Sequence, residues 1–302
     1  VPLPPRHKGV TAAHFQTREE AFRANLIALR HEPGAVEMMD QIILDLTRNN
    51  RAQQENRGFV RGHPGAILIV EFARDTYQQV QAAHQALVDD LKAAGYGYHY
   101  PLILGKDTEK VWNLRKSGLG VLSNMQGDAR PVSIVEDTAV NVADLPQYMA
   151  DFQNILNHYR LQCVYHAHIG SGELHLRPIL NLKDPEHVEL FRNIGREIAR
   201  LVKKYNGSLS GEHGDGRVRG EFIPLILGEK NYQMLRDIKS TWDPLNIFNP
   251  GKITDAPPVN EKLRYAPGRP TREIPTVFDF SDEGGIVRAA EKCNGSGDCR
   301  KT

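Results

Sequence analysis

The run Tyr165-His-Ala-His-Ile-Gly-Ser-Gly-Glu-Leu-His-Leu-Arg177 gathers three imidazoles, a carboxylate and a guanidinium. A two-residue hairpin turn at Ser171-Gly172 would set Gly170 opposite Glu173, Ile169 opposite Leu174, His168 opposite His175 and His166 opposite Arg177. Opposed residues stand about 4.5–5.5 Å apart at Cβ. His168 and His175 could then share a divalent ion through metal–nitrogen bonds of about 2.0–2.1 Å. Ala167, Ile169, Leu174 and Leu176 fall on the other face, which is small or apolar and would pack inward. A third ligand is needed. Ser208-Leu-Ser-Gly-Glu-His-Gly-Asp-Gly216 offers Glu212 and His213 between glycines, at a strand end that other groups can approach closely. Two histidines and one carboxylate leave positions open for substrate, the catalytic rather than the structural arrangement. Each piece also has a plainer alternative. The hairpin could carry solvent-facing histidines, and Glu212-His213-Gly214 alone could be a simple turn.

The elements that would position these groups alternate between strand and helix. Strands are expected at Gly9–Phe15, Ala35–Met39, Ala66–Phe72, Gly97–Leu104, Pro131–Val140 and Ser208–Ser210, with two more in Cys163–Ile179. Thr17-Arg-Glu-Glu20 is a capping box opening a helix to about Arg30. Further helices are expected at Gln41–Arg48, Thr76–Ala94, Asp107–Asn124 and Pro146–Tyr159. Asp184-Pro185 starts another, by an N-cap followed by proline. A last helical block covers about Phe222–Thr241, and Asn49–His63 reads as loop. This alternation suggests βαβ-like units in an α+β sandwich with an antiparallel or mixed sheet. No repeat is visible by sequence identity. Asp255–Thr276, rich in Pro and Arg, reads as an extended segment lying on a surface.

Composition narrows the classes. Of 302 residues, 38 are basic and 37 acidic, a net charge of +1 that leaves no electrostatic footprint for nucleic acid or an anionic membrane. No apolar run reaches the roughly 18 residues of a membrane helix. Val1-Pro-Leu-Pro-Pro5 reads as linker rather than as a targeting segment. Three cysteines make no disulfide framework, so a reducing cytoplasmic setting is expected, at most peripheral to the inner membrane. Cys163, in an apolar strand, reads as a small core residue.

Three ordered stretches, His168–His175, Gly211–Gly216 and Asp243-Pro-Leu-Asn-Ile-Phe-Asn-Pro-Gly-Lys252, resemble the C-terminal domain of FAD-linked oxidases. That family includes D-lactate and D-2-hydroxyglutarate dehydrogenases and the large glycolate oxidase subunit. The resemblance implies a ferredoxin-like α+β sandwich over 9–252, with a C-terminal helical part and an extended tail, joined to a separate FAD domain. Residues 1–8 would be the linker from that domain and 253–290 a second linker. Cys293-Asn-Gly-Ser-Gly-Asp-Cys299 then resembles the opening of a fused iron–sulfur domain. Residues 291–302 would be its truncated start, and a 4Fe-4S cluster would form only in a longer protein.

By the same resemblance, His168, His175 and Glu212 would hold a divalent ion, Zn or Mn, and His213 would be the base. Arg115 would bind the substrate carboxylate, with Arg177 a second candidate, and Asn249 and Lys252 would approach the flavin. The implied reaction oxidises a D-2-hydroxy acid, D-2-hydroxyglutarate or D-lactate, by proton abstraction and hydride transfer to FAD. Its partners would be the small acid and the neighbouring domains, not nucleic acid, and a homodimer is compatible. One departure touches substrate identity. Where the family hairpin often carries Asn, this chain has Glu173, which would repel an anion unless turned away or paired with Arg177. Related flavin oxidases act on phenols or build ether lipids, and a non-catalytic docking or electron-transfer module is a third reading. No strand–GxGxxG–helix fingerprint is present, so the isolated chain is expected to be colourless and inactive.

Overall fold

The computed structural model describes residues 5–48, 50–293, 295 and 297–300. The first half runs β1 (His7–Phe15), α1 (Arg18–Leu29), β2 (Ala35–Asp40), α2 (Gln41–Arg48), β3 (Ala66–Arg74), α3 (Tyr77–Ala93) and β4 (Leu102–Leu104). After α4 (Thr108–Leu122) come β5 (Arg130–Pro131), β6 (Val135–Ala139), α5 (Leu145–His158), β7 (Cys163–His168), β8 (Glu173–Leu180) and α6 (Pro185–Lys204). Then follow α7 (Ile223–Leu227), α8 (Glu229–Trp242) and, far along the tail, α9 (Ile286–Glu291). Among the described residues no helix is long and apolar enough to cross a membrane.

All strand pairs are antiparallel, in the order β4-β1-β3-β2-β7-β8, with β6 and β5 both on β8. Strands β1 to β4 form one ferredoxin-like βαββαβ unit of order 4-1-3-2. The unit β6-α5-β7-β8-α6 repeats that plan, with Ser208 bridging Ala139 in place of a fourth strand. The two units join where Met38 and Met39 of β2 face Ala167 and His166 of β7. The duplication is one of topology, with spacing but no residue identity to announce it.

Alternation along the strands divides the core by face. Ala13, Phe15, Leu68, Val70, Tyr165, Ala167, Leu174 and Leu176 enter the large core that α1, α3, α5 and α6 share. Val10, Ala12, Met39, Ile67 and Ile69 enter a smaller core on the opposite side, with Leu44 of α2 and Val111 and Leu114 of α4. On that second face β7 and β8 carry His166, His168, Glu173, His175 and Arg177 beyond Val164 and Ile179, which pack with Ile43, Val121 and Leu122 in a third small cluster. The greasy face expected of the hairpin is therefore the inward one, and Cys163 is buried as expected.

Several boundaries differ from the expected ones for local reasons. Of 97–104, only Leu102–Leu104 pairs regularly with β1, because Pro101 offers no N–H; His99 makes a lone bridge to His14. Ser208–Ser210 shrinks to one bridge. The block 222–241 splits at Gly228, whose φ of +78° only glycine adopts freely. Strand β1 begins at His7, inside the stretch read as linker, while residues 1–4 lie outside the described residues. Residues 253–280 form neither helix nor strand, and α9 falls within 253–290.

Candidate metal and proton-transfer site

Strands β7 and β8 pair with His166 opposite His175, His168 opposite Glu173 and Val164 opposite Arg177. The register is two residues away from the expected one. Ile169–Ser171 forms a 3-10 turn with Ile169 buried, and Gly172 closes it at φ +78°. A Cβ on Gly172 would also sit 2.1 Å from the Val140 carbonyl oxygen. The loop is thus longer than two residues. Because the slip is by two, every side chain keeps its face. His168 and His175 still converge, diagonally, with ring centroids 5.1 Å apart.

Glu212 and His213 are brought over them by β6. A bulge between Glu136 and Thr138 puts Asp137 at φ +77°, fully buried, with its carboxylate turned toward the 210–213 loop. Asp137 accepts from the Glu212 N–H at 3.0 Å, the His213 N–H at 2.9 Å and the Ser210 hydroxyl. Its own carbonyl takes the Gly211 N–H at 2.7 Å. These donors hold the Asp137 carboxyl below its usual range, although burial opposes them.

The result is four side chains around one point. Glu212 Oε1 lies 3.5 Å from His168 Nε2 and 3.7 Å from His175 Nε2. Glu173 Oε2 lies 3.7 Å from His168 Nε2, and its Oε1 3.5 Å from His175 Nε2. One donor atom from each of the four falls within 4.8 Å of all the others. His213 stacks on His175, ring centroids 5.2 Å apart and planes 11° from parallel, with Nε2 3.2 Å from Glu212 Oε1. Two other triads are close enough to bind an ion, Glu136–His175–His213 and Asp137–Glu212–His213. Both use a carboxylate already committed, Glu136 to Arg177 and Asp137 to the loop.

The surroundings set the tautomers. His168 Nδ1 lies 2.8 Å from Glu37 Oε1 and so carries the proton, turning the Nε2 lone pair to the centre. That bond raises the His168 pKa, against burial. Burial pushes His175 down to about 3, a neutral imidazole. Glu173 is pushed up to about 8, first by burial and then by its hydrogen bond with Asp137. Glu173 Oε1 and His175 Nδ1 are buried without a hydrogen-bond partner.

Two sequence expectations change here. Arg115, read as the partner of a substrate carboxylate, has its guanidinium engaged by protein groups. It is buried, donating to Glu37 Oε2 from Nε at 3.1 Å and Nη2 at 2.7 Å, and from Nη1 to His166 Nδ1 at 3.3 Å. Its place is behind His168, through Glu37. Arg177 pairs with Glu136 rather than with Glu173, because Glu136 stands on the neighbouring strand β6 opposite His175 while Glu173 lies four residues away along the same strand. Glu173 is neither turned away nor paired with it. Sequence reasoning passed over Glu37 and Asp137. A charged residue inside the apolar run Ala35-Val-Glu-Met-Met39 was a signal for the first, whereas the positive φ of Asp137 left none.

Asn249 and Lys252 lie exposed on the loop after α8, Asn249 at φ +46°. Ile253 N–H reaches the Gly216 carbonyl at 3.4 Å, tying this loop to the segment that follows His213. Cys293 and Cys299 are both exposed, in a run that lies partly outside the described residues.

Comparison with known proteins agrees with this architecture. The chain is 31% identical over 306 aligned residues to the D-2-hydroxyglutarate dehydrogenase of Pseudomonas putida, covering 98% of this chain and 30% of that protein. The enzyme of the same name from Pantoea ananatis is 30% identical, with the same two coverages. The chain therefore spans under a third of the length of these relatives. Among solved structures, 4-ethylphenol oxidase from Gulosibacter chungangensis superposes with a TM-score of 0.57 over 84% of this chain and 55% of that one. At 14% identity, that likeness concerns the fold alone. Residues 4–253 match the family described as FAD linked oxidases, C-terminal domain, and the chain belongs to that family.

Proposed function

We propose that this domain binds a D-2-hydroxy acid, D-2-hydroxyglutarate by analogy with its relatives, and removes the hydroxyl proton as the acid is oxidised to the 2-oxo acid with FAD as acceptor. One observation supports this reading above the rest. His168, His175 and His213 all turn Nε2 toward one oxygen of Glu212, at 3.5, 3.7 and 3.2 Å.

The donor set fits a divalent ion such as Zn or Mn. Two imidazole lone pairs and a carboxylate face one another without hydrogen-bonding, on a partly exposed rim. His168, His175 and Glu212 would hold the ion, which when bound would polarise the substrate hydroxyl and lower its pKa. His213 would accept the proton at Nε2. Its Nδ1 lies on the Asp137 side of the ring, 4.0 Å from that carboxylate, and its Nε2 on the side of Glu212. Stacking on His175 fixes the ring plane.

The described residues form no glycine-rich strand-to-helix turn, and Gly118 and Gly120 sit inside α4. FAD is accordingly proposed to be held mainly outside this chain, with Asn249 and Lys252 toward it. Cys293 and Cys299 are proposed to contribute to a 4Fe-4S cluster in a longer polypeptide.

Flavin bleaching in the holoenzyme, on adding D-2-hydroxyglutarate or D-lactate, tests the reading. His213→Ala should slow bleaching by about 10²–10⁴-fold while metal content stays the same. An unchanged rate would point to a docking module, and activity indifferent to chelators would reject the metal.

A further inference from the structure

We infer that Glu173 is a fourth protein ligand of the metal proposed above, so that this chain offers two imidazoles and two carboxylates rather than three ligands. The inference rests on that proposal, and four observations carry it. Distance is the first. Four tetrahedral ligands on bonds of about 2.0–2.1 Å stand about 3.3–3.4 Å apart. Glu173 Oε1 to His175 Nε2 is 3.5 Å and Glu173 Oε2 to His168 Nε2 is 3.7 Å, the same two separations that Glu212 shows.

Burial is the second. Glu173 is 6% exposed, and its Oε1 faces the centre with no hydrogen-bond partner. A buried oxygen in that state calls for a proton, a water or a cation, and the neighbours on its open side are imidazole lone pairs. The third is the fit of the loop above. A Cβ on Gly211 would stand 2.6 Å from Glu173 Cγ, so a glycine there is what lets the Glu173 side chain lie beneath Glu212. The last is the register. Glu173 sits directly opposite His168 across the hairpin, the shortest cross-strand spacing available to it.

Ligation by Glu173 also sets the charge of the site. Bound to a divalent ion together with Glu212, this side chain gives a centre of no formal charge, and the substrate must then add as a further ligand or displace one of the carboxylates.

Metal-stripped chain titrated with Co²⁺ reads both affinity and, through visible absorption, the ligand field. The parent, Glu173→Gln and Glu212→Gln are compared. Glu173→Gln should weaken binding by more than the roughly 100-fold that loss of an outer partner reaches, and should shift the absorption bands. Affinity and spectrum both unchanged, with Glu212→Gln losing the metal, would overturn the fourth ligand and leave the proposed function standing. A parent that binds no metal would overturn both. Should Glu173→Gln disturb the Asp137 loop, visible as altered circular dichroism, Glu173→Asp withdraws the carboxylate by one methylene at constant charge. The same band shift is expected, and its absence overturns the inference.

Discussion

Glu37 accepts the Nδ1 proton of His168 on one oxygen, 2.8 Å away, while its other oxygen takes two donors from Arg115. A single carboxylate thereby orients a candidate ligand and compensates a buried guanidinium. Removing its charge should act on both. Glu37→Gln is expected to weaken metal binding by about 10–100-fold through the loosened imidazole. It should also cost about 3–5 kcal/mol of stability, because Arg115 is left buried without a counter-charge. Competition titration with a chelator reads the first and urea unfolding the second. If neither moves, His168 does not depend on Glu37.

Gly211 supplies a second lever on the same centre, by volume rather than charge. Its Cβ position collides with Glu173 Cγ at 2.6 Å and touches Ala139 Cβ at 3.4 Å. Glu173 cannot retreat downward, since it lies on β8 against buried Asp137. Gly211→Ala should cost about 1–3 kcal/mol by overpacking and displace the Glu212 loop. Metal affinity should fall with it, whereas Gly214→Ala, where a Cβ would meet nothing within 4 Å, would strain only the backbone at φ +78°. Equal metal affinity in Gly211→Ala and the parent would show that the loop gives way freely.

His14 makes a prediction about pH that is independent of the site. Its Nε2 accepts from the Arg61 N–H at 3.1 Å, so Nδ1 carries the proton and donates to the Ala12 carbonyl at 2.8 Å. Burial pushes its pKa down from 6.5 to about 4. With the folded value depressed, the unfolded chain binds the extra proton first. The stabilisation is whole above pH 6.5 and is lost as pH falls toward 4. On the scale of 1.36 kcal/mol per unit, the loss is about 3 kcal/mol. Urea unfolding at pH 7 and pH 4.5 should show a steeper decline in the parent than in His14→Gln. Parallel declines would mean that His14 is protonated in the folded state.

Much of this molecule is legible in its residues, and the gaps have physical causes. Helix starts were readable at Thr17 and Asp184, which cap the backbone with their own side chains. The faces of β7 and β8 were readable because strand alternation survives any even slip. What failed was the turn, where Ile169 looks like a strand residue yet is buried in a 3-10 turn. With it went the partners of His166 and Arg177. The role of Arg115 was hidden for another reason. Its partner Glu37 lies 78 residues earlier, and only the packing of α4 on β2 joins them. A positive φ is commoner at Asp than at most residues, but nothing in Val135-Glu-Asp-Thr-Ala139 marks Asp137 as the residue that adopts it.

The end of α8 and the loop after it give the last prediction. Trp242, Leu245, Ile247 and Phe248 are 84%, 78%, 65% and 71% exposed, an unusual run of large apolar surface. They are not loose. Asp243 takes the Ile247 and Phe248 N–H groups at 2.9 Å each and pairs with Lys239, which also donates to the Phe248 carbonyl. The loop is thus tied from within while its hydrocarbon points outward, beside exposed Asn249 and Lys252. Side chains that bury nothing contribute little to folding. Trp242→Ser with Phe248→Ser should therefore leave the chain's own stability within about 0.5 kcal/mol, while binding of the dye ANS falls. Asp243→Ala should do the opposite, loosening the loop and raising ANS binding. If the serine pair instead unfolds the chain, these residues are packing within this domain, and the surface is not held ready for contact with another body.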